Sequence, residues 1–152
     1  MDFSDADNDS LYAVFHQVIR FHYCRAHMLL EKLGVYPGQP PLLFTLEKHG
    51  GLSQKELAEK LHIKAATVTV MLKRMENAKL VERRPDSNDQ RVSRVYLTEY
   101  GQTVFNEVKE SLEKIKQDCF QNFTAEERNL LRRLLMRVRD NLMKVCGEDL
   151  PK

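Results

Sequence analysis

A chain of 152 residues with 42% apolar and 30% charged residues can bury a core as one domain, or as one domain plus a dimerisation extension, and its composition excludes a disordered polymer. No apolar run approaches the roughly 20 residues of a membrane span, and the N-terminus carries Asp2, Asp5, Asp7 and Asp9 where a secretory leader would be basic and then apolar, so a cytoplasmic protein without membrane attachment is expected. The net charge of +2 is unevenly spread: ten Lys and Arg face six acids between Ser53 and Thr98, which makes that segment +4 and the remainder −2, the footprint of a face that binds a polyanion.

The first element predicted is a long amphipathic helix. Leu11, Val14, Phe15, Val18 and Ile19, then Ala26, Leu29, Leu30 and Leu33, follow steps of three and four until Gly34 ends the pattern. Pro37, Gly38, Pro40 and Pro41 interrupt the chain, and Pro41 suits the first turn of a helix reaching about His49, which Gly50 and Gly51 terminate.

The central module is denser in signals. Ser53 and Glu56 have the spacing of a capping box, with Leu52 and Leu57 placed as a hydrophobic staple, so a helix starts here. Leu61-His62-Ile63-Lys64 reads as a tight turn in which His62 occupies a position that needs positive φ. A second helix is expected from about Lys64 to Ala78. Val68, Leu72 and Met75 form its inward stripe, and Ala65, Ala66, Thr67, Thr69, Val70, Lys73 and Arg74 lie opposite. Small residues and hydroxyls at its start permit approach to base edges, and Lys73 and Arg74 suit phosphates or guanine. Residues 80–84, including Arg84, read as a strand, Pro85 to Gln90 as a turn, and Arg91 to Thr98 as an alternating strand. This hairpin is a wing. Arg91 at its tip suits a narrow minor groove, with Asp89 placed to hold it.

Beyond the wing, Thr98 is expected to cap a helix burying Val104, Val108, Leu112, Ile115 and Cys119. A final helix is expected to open with a Thr124/Glu127 capping box and to bury Leu131, Leu134, Leu135, Val138, Leu142 and Val145. The stripes of the terminal helices exceed what the central module can cover, so a homodimer built from both ends of the chain is predicted. The expected organisation is mainly α with a small β wing: residues 8–34 and 98–146 for dimerisation, residues 40–98 as a winged helix-turn-helix.

Taken together, Leu52-Ser53-Gln54-Lys55-Glu56-Leu57-Ala58, Ala66-Thr67-Val68-Thr69, Leu80-Val81-Glu82-Arg83, and Asp89-Gln90-Arg91 leading to Val95-Tyr96-Leu97-Thr98-Glu99-Tyr100-Gly101 resemble the MarR family of bacterial transcriptional regulators. The D-x-R wing followed by L-T-x-x-G is the most discriminating part. The resemblance implies a homodimeric winged-helix regulator, expected to be a repressor, acting on double-stranded DNA at pseudo-palindromic operators. Ser53, Lys64, Arg84, Asp89 and Arg91 would then join the face from Ala65 to Arg74 in binding DNA. One departure is Val70, where relatives often carry a basic residue.

In this family small-molecule effectors often lie between the dimerisation helices and the winged lobe, a crevice that His22, Tyr23, Tyr36 and Phe44 would line here. Such aromatics are more often plain core. Cys24, Cys119 and Cys146 show neither a disulfide framework nor metal-ligand spacing, and inert packing is expected for Cys24 and Cys119. No cofactor and no metal are expected. A winged helix serving protein contacts alone is the second reading. An enzyme is the third, and the sequence contains no Gly-rich phosphate loop, Ser/His/Asp set or metal-spaced carboxylate cluster to support it.

Overall fold

The computed structural model describes residues 9–146; Asp2, Asp5, Asp7 and the first residue of the predicted 8–34 span lie outside the described residues. Helix α1 (Leu11–Leu30) begins where the Ser10 hydroxyl accepts a hydrogen bond from the Ala13 amide at 3.2 Å. It tightens into one 3₁₀ turn, Glu31–Leu33, and stops at Gly34, whose φ of 68° is cheap only for glycine. Helix α2 (Pro40–Lys48) has both prolines in its first turn, where a missing amide costs nothing.

The module that follows comprises β1 (Leu52–Ser53), α3 (Gln54–Leu61), α4 (Ala65–Asn77), β2 (Val81–Pro85) and β3 (Ser93–Leu97). The sheet is antiparallel with order β1-β3-β2. Leu52 pairs with Val95 and Ser53 with Arg94 on one side of β3, while Arg83 pairs with Val95 and Arg84 with Arg94 on the other. The sequence pattern predicts only the hairpin; β1 is two residues long, too short for an alternation to register. The strand ends also shift. Leu80 is held at the end of the α4 turn by its amide bond to Met75 O at 2.9 Å, and Arg91 belongs to the wing turn.

The core lies where α2, α3, α4, β3 and α5 (Glu99–Phe120) meet. Leu42, Leu43, Leu46, Leu57, Val68, Leu72, Met75, Val95 and Val108 are essentially sealed from solvent. Each contributes about 1.5–3 kcal/mol of burial. α5 is docked by the L-T-x-x-G run: Thr98 Oγ1 accepts from the Gly101 amide at 2.9 Å and donates to Lys79 O at 2.6 Å, and the Thr98 amide reaches Leu80 O at 3.1 Å. A Cβ on Gly101 would collide with the Leu80 carbonyl oxygen, so glycine is required for α5 to lie this close. Farther along, Asp118 of α5 accepts from Arg25 of α1 and Lys114, at 2.8 and 2.9 Å; Lys114 first and Arg25 second hold its pKa below the usual aspartate value.

Helix α6 (Ala125–Cys146) starts with the predicted capping box, Thr124 N to Glu127 Oε2 at 2.8 Å and Glu127 N to Thr124 Oγ1 at 3.2 Å. Its apolar stripe is not buried within the chain. Leu134, Leu135, Val138, Leu142 and Val145 are exposed, as are Leu11, Val14, Val18 and Ile19 of α1. Cys24 and Cys119, expected as packed residues, are exposed too. The cause is shared: among the described residues nothing in the same chain seals these faces, and α1 meets the core through buried Ala26 and Leu30 with Leu29 packed beside them. Among the described residues no helix is long and apolar enough to cross a membrane.

Candidate nucleic-acid interface

The helix-turn-helix is set by local hydrogen bonds. The Ser53 hydroxyl accepts from Glu56 N at 3.3 Å while Glu56 Oε2 accepts from Ser53 N at 2.7 Å. The Ser53 backbone amide on its carboxylate first, the Ser53 side chain second and Arg94 after them lower the Glu56 pKa. Ser53 is half-buried by this capping function. His62 ends α3 at φ 52°, ψ 45°, the left-handed conformation the turn requires. α4 then starts at Lys64 as N-cap and buries Val68, Leu72 and Met75 completely.

The opposite face of α4 is presented as expected: Lys64, Ala65, Ala66, Thr67, Thr69, Val70, Lys73 and Arg74 are all exposed. Two of these side chains are already engaged. The Thr69 hydroxyl donates to Ala65 O at 3.0 Å and accepts from the Gln54 side-chain amide, which tethers the start of α4 to the start of α3. Arg74 lies over the Tyr36 ring, 5.3 Å from its centroid. The sequence gives Gln54 no place in the interface, because its partner is fifteen residues away and no local pattern relates them.

The wing turn is organised by Asp86. Its Oδ1 accepts from Asn88 N at 2.7 Å and Asp89 N at 3.0 Å, an Asx turn, and its Oδ2 accepts from Arg94 Nε. The Arg94 bond first, then the two amides, hold the Asp86 pKa down at about 2. At the tip, Asp89 grips Arg91 in the expected way: Oδ1 accepts from Arg91 Nε and from its backbone amide, both at 3.1 Å, and Oδ2 from Nη2 at 3.3 Å. The side-chain bond lowers the Asp89 pKa. Arg91 is nonetheless 91% exposed, so its charge remains available. Arg84 pairs with Glu82 and stacks over Tyr96 at 4.8 Å, and Arg83 bonds Glu76 at 2.8 Å, anchoring the wing's first strand to α4.

The four aromatic residues expected to line an effector crevice have different surroundings. His22 and Tyr23 are exposed on α1, Tyr36 stacks with Arg74, and Phe44 packs edge-on to Phe105 at 5.0 Å. A groove of about 770 Å³ lies elsewhere, between α5 and α6, lined by Phe120, Leu131, Leu135 and Met136 among others.

The family model for the MarR family matches residues 35–93. The HTH-type transcriptional repressor MdtR of Bacillus subtilis (strain 168) is 37% identical over 98 residues, covering 64% of this chain and 63% of MdtR, so the chain spans slightly under two thirds of that relative. The HTH-type transcriptional regulator YdgJ of the same strain is 33% identical over 112 residues, covering 74% of this chain and 68% of YdgJ. The crystal structure of a Staphylococcus aureus MepR–DNA complex shares the fold, with a TM-score of 0.73 at 22% identity over 90% of this chain and 99% of that one. With a winged helix-turn-helix inside long terminal helices, a family model matching residues 35–93, and a relative 33% identical over 68% of its length, the chain belongs to the MarR family of transcriptional regulators.

Proposed function

We propose that this protein represses transcription as a homodimer bound to a pseudo-palindromic operator. α4 enters the major groove and Arg91 reaches the adjacent minor groove. The observation that carries the reading is the wing tip, where a 91% exposed arginine is aimed by an aspartate two residues away. An arginine that served only solubility would not need three bonds to Asp89. The exposed small and hydroxyl-bearing start of α4 supports the same reading, because it lets a helix approach base edges. MdtR is a repressor and MepR was crystallised on DNA, which accords with it. The uncovered apolar faces of α1 and α6 support pairing of two chains, and residues 8–34 and 98–146 would form the dimer base beneath the winged module of residues 40–98.

Selection of duplexes from a random-sequence pool by the purified protein tests this directly. The expected product is an inverted repeat with half-sites about one helical turn, 10–10.5 bp, apart. Arg91→Ala should weaken binding to the selected and to scrambled duplexes alike and reduce the salt slope by about one. An unchanged affinity and slope would show that the wing does not touch DNA.

A further inference from the structure

One side chain joins the wing to the helix-turn-helix. Arg94 stands in β3 opposite Ser53 of β1 and Arg84 of β2. Its guanidinium donates through Nε to Asp86 Oδ2, and through Nη1 to Gly51 O at 2.8 Å and to Glu56 Oε2 at 3.3 Å. Each acceptor belongs to a different part of the module. Asp86 shapes the turn that carries Asp89 and Arg91; Gly51 links α2 to β1; Glu56 is the capping-box carboxylate in the first turn of α3. From there Gln54, also in that first turn, holds Thr69 on α4. Hydrogen bonds therefore run from the wing-tip arginine through Asp89, Asp86 and Arg94 to Glu56, and the first turn of α3 carries the connection on to Gln54 and the start of the recognition helix.

Arg94 is poorly placed to contact DNA itself. Its side chain is 32% exposed and that of Asp86 11%, and its charge already faces two carboxylates. A phosphate contact would require giving up these bonds. A planar fork that satisfies three acceptors in fixed directions is a task for arginine; an ammonium on a flexible stem cannot reproduce it. A wing held before binding also avoids the cost of ordering it on DNA.

We propose that Arg94 is a positioning residue for DNA binding, fixing the wing-tip Arg91 relative to the recognition helix through Asp86, Gly51 and Glu56 without touching DNA. This rests on the DNA-reading function proposed above. The test is a double-mutant cycle on the selected duplex, over a salt series, with Arg94→Gln, Arg94→Lys, Asp86→Asn, Arg91→Ala and the pair Arg91→Ala/Arg94→Gln, and with thermal melts of each. Arg94→Gln should weaken binding about ten-fold, a size usual for coupled neighbours. Arg94→Lys should fail to rescue it despite keeping the charge. With Arg91 already replaced, Arg94→Gln should cost little more, because no aimed cation is left to misplace. Asp86→Asn keeps the turn-forming oxygen and the Arg94 charge, so it should fold as the parent does and show the same dependence on Arg91.

Rescue by lysine, or a full additive loss in the Arg91→Ala background, would overturn the proposal in favour of a direct phosphate contact. An equal loss in both backgrounds that tracks a lowered melting temperature would overturn it in favour of a purely structural role. Arg91→Ala binding like the parent would remove the wing reading and this inference together, whereas an impaired Arg91→Ala with additive Arg94→Gln removes this inference alone.

Discussion

Two threonines half a turn apart on α4 show how the structure separates residues that the sequence treats alike. Thr69 shares its hydroxyl between Ala65 O and Gln54, whereas Thr67 is exposed one half-turn before it. Thr67→Ala is therefore expected to cut discrimination between operator and mismatched duplex by about 1–3 kcal/mol, as for a lost specific contact. Thr69→Ala should change discrimination less and affinity for both duplexes more, because it frees the start of α4 from α3. Competition binding on matched and single-mismatch duplexes distinguishes the two. The Asp89–Arg91 pair is legible in sequence because its partners are two residues apart; the Arg94–Glu56 bond spans 38 residues and depends on strand register, so no spacing announces it. Asp86 supplies a pH prediction. Its pKa is depressed from 3.8 to about 2, so its contribution is complete above about pH 4 and lost as the pH falls through 2. Glu56 and Asp89 are depressed in the same direction. Amide chemical shifts of Asn88 and Asp89 should hold constant down to about pH 4 and then titrate together, and Asp86→Asn should abolish that step.

At the scale of elements, the T-x-x-G run explains why α5 docks where it does. Thr98 caps the helix and binds the carbonyls of Lys79 and Leu80, and Gly101 lets the helix backbone approach Leu80. The obstacle to a larger residue is backbone, which cannot rotate away. Gly101→Ala should thus destabilise the fold by about 1–3 kcal/mol or more, read as a lower denaturant midpoint, even though alanine is the better helix former. A midpoint equal to the parent's would show that α5 can lift off Leu80 at no cost. Helix starts were legible because the capping boxes at Ser53/Glu56 and Thr124/Glu127 are pairs only three residues apart. β1 was not, since a two-residue strand exists only by virtue of pairing with Val95 and Arg94.

For the whole molecule, the decisive feature is apolar surface left uncovered. Leu11 is 88% and Val145 78% exposed, and between them α1 and α6 present an extended apolar face far larger than single scattered residues would make. A second copy of the chain would cover it. Leu142→Glu should shift the protein from dimer to monomer by light scattering at micromolar concentration, and tight operator binding should be lost with it, since one winged module engages only one half-site. A Leu142→Glu variant that remains dimeric and binds unchanged would place the interface elsewhere.

What the sequence by itself determined was whatever acts over a few residues: helix starts and stops, the left-handed turn at His62, the inward stripe Val68, Leu72 and Met75, and the paired Asp89 and Arg91. Caps, turns and periodicity are encoded by neighbours in the chain, and motif spacing carried the family with them. The tertiary structure alone decided which groups meet from distant positions. It put Arg94 among Asp86, Gly51 and Glu56, tied Gln54 to Thr69, stacked Tyr36 on Arg74, and left Cys24, Cys119 and the α6 stripe outside the core. Periodicity marks a face as apolar, but only packing determines whether anything in the same chain covers it.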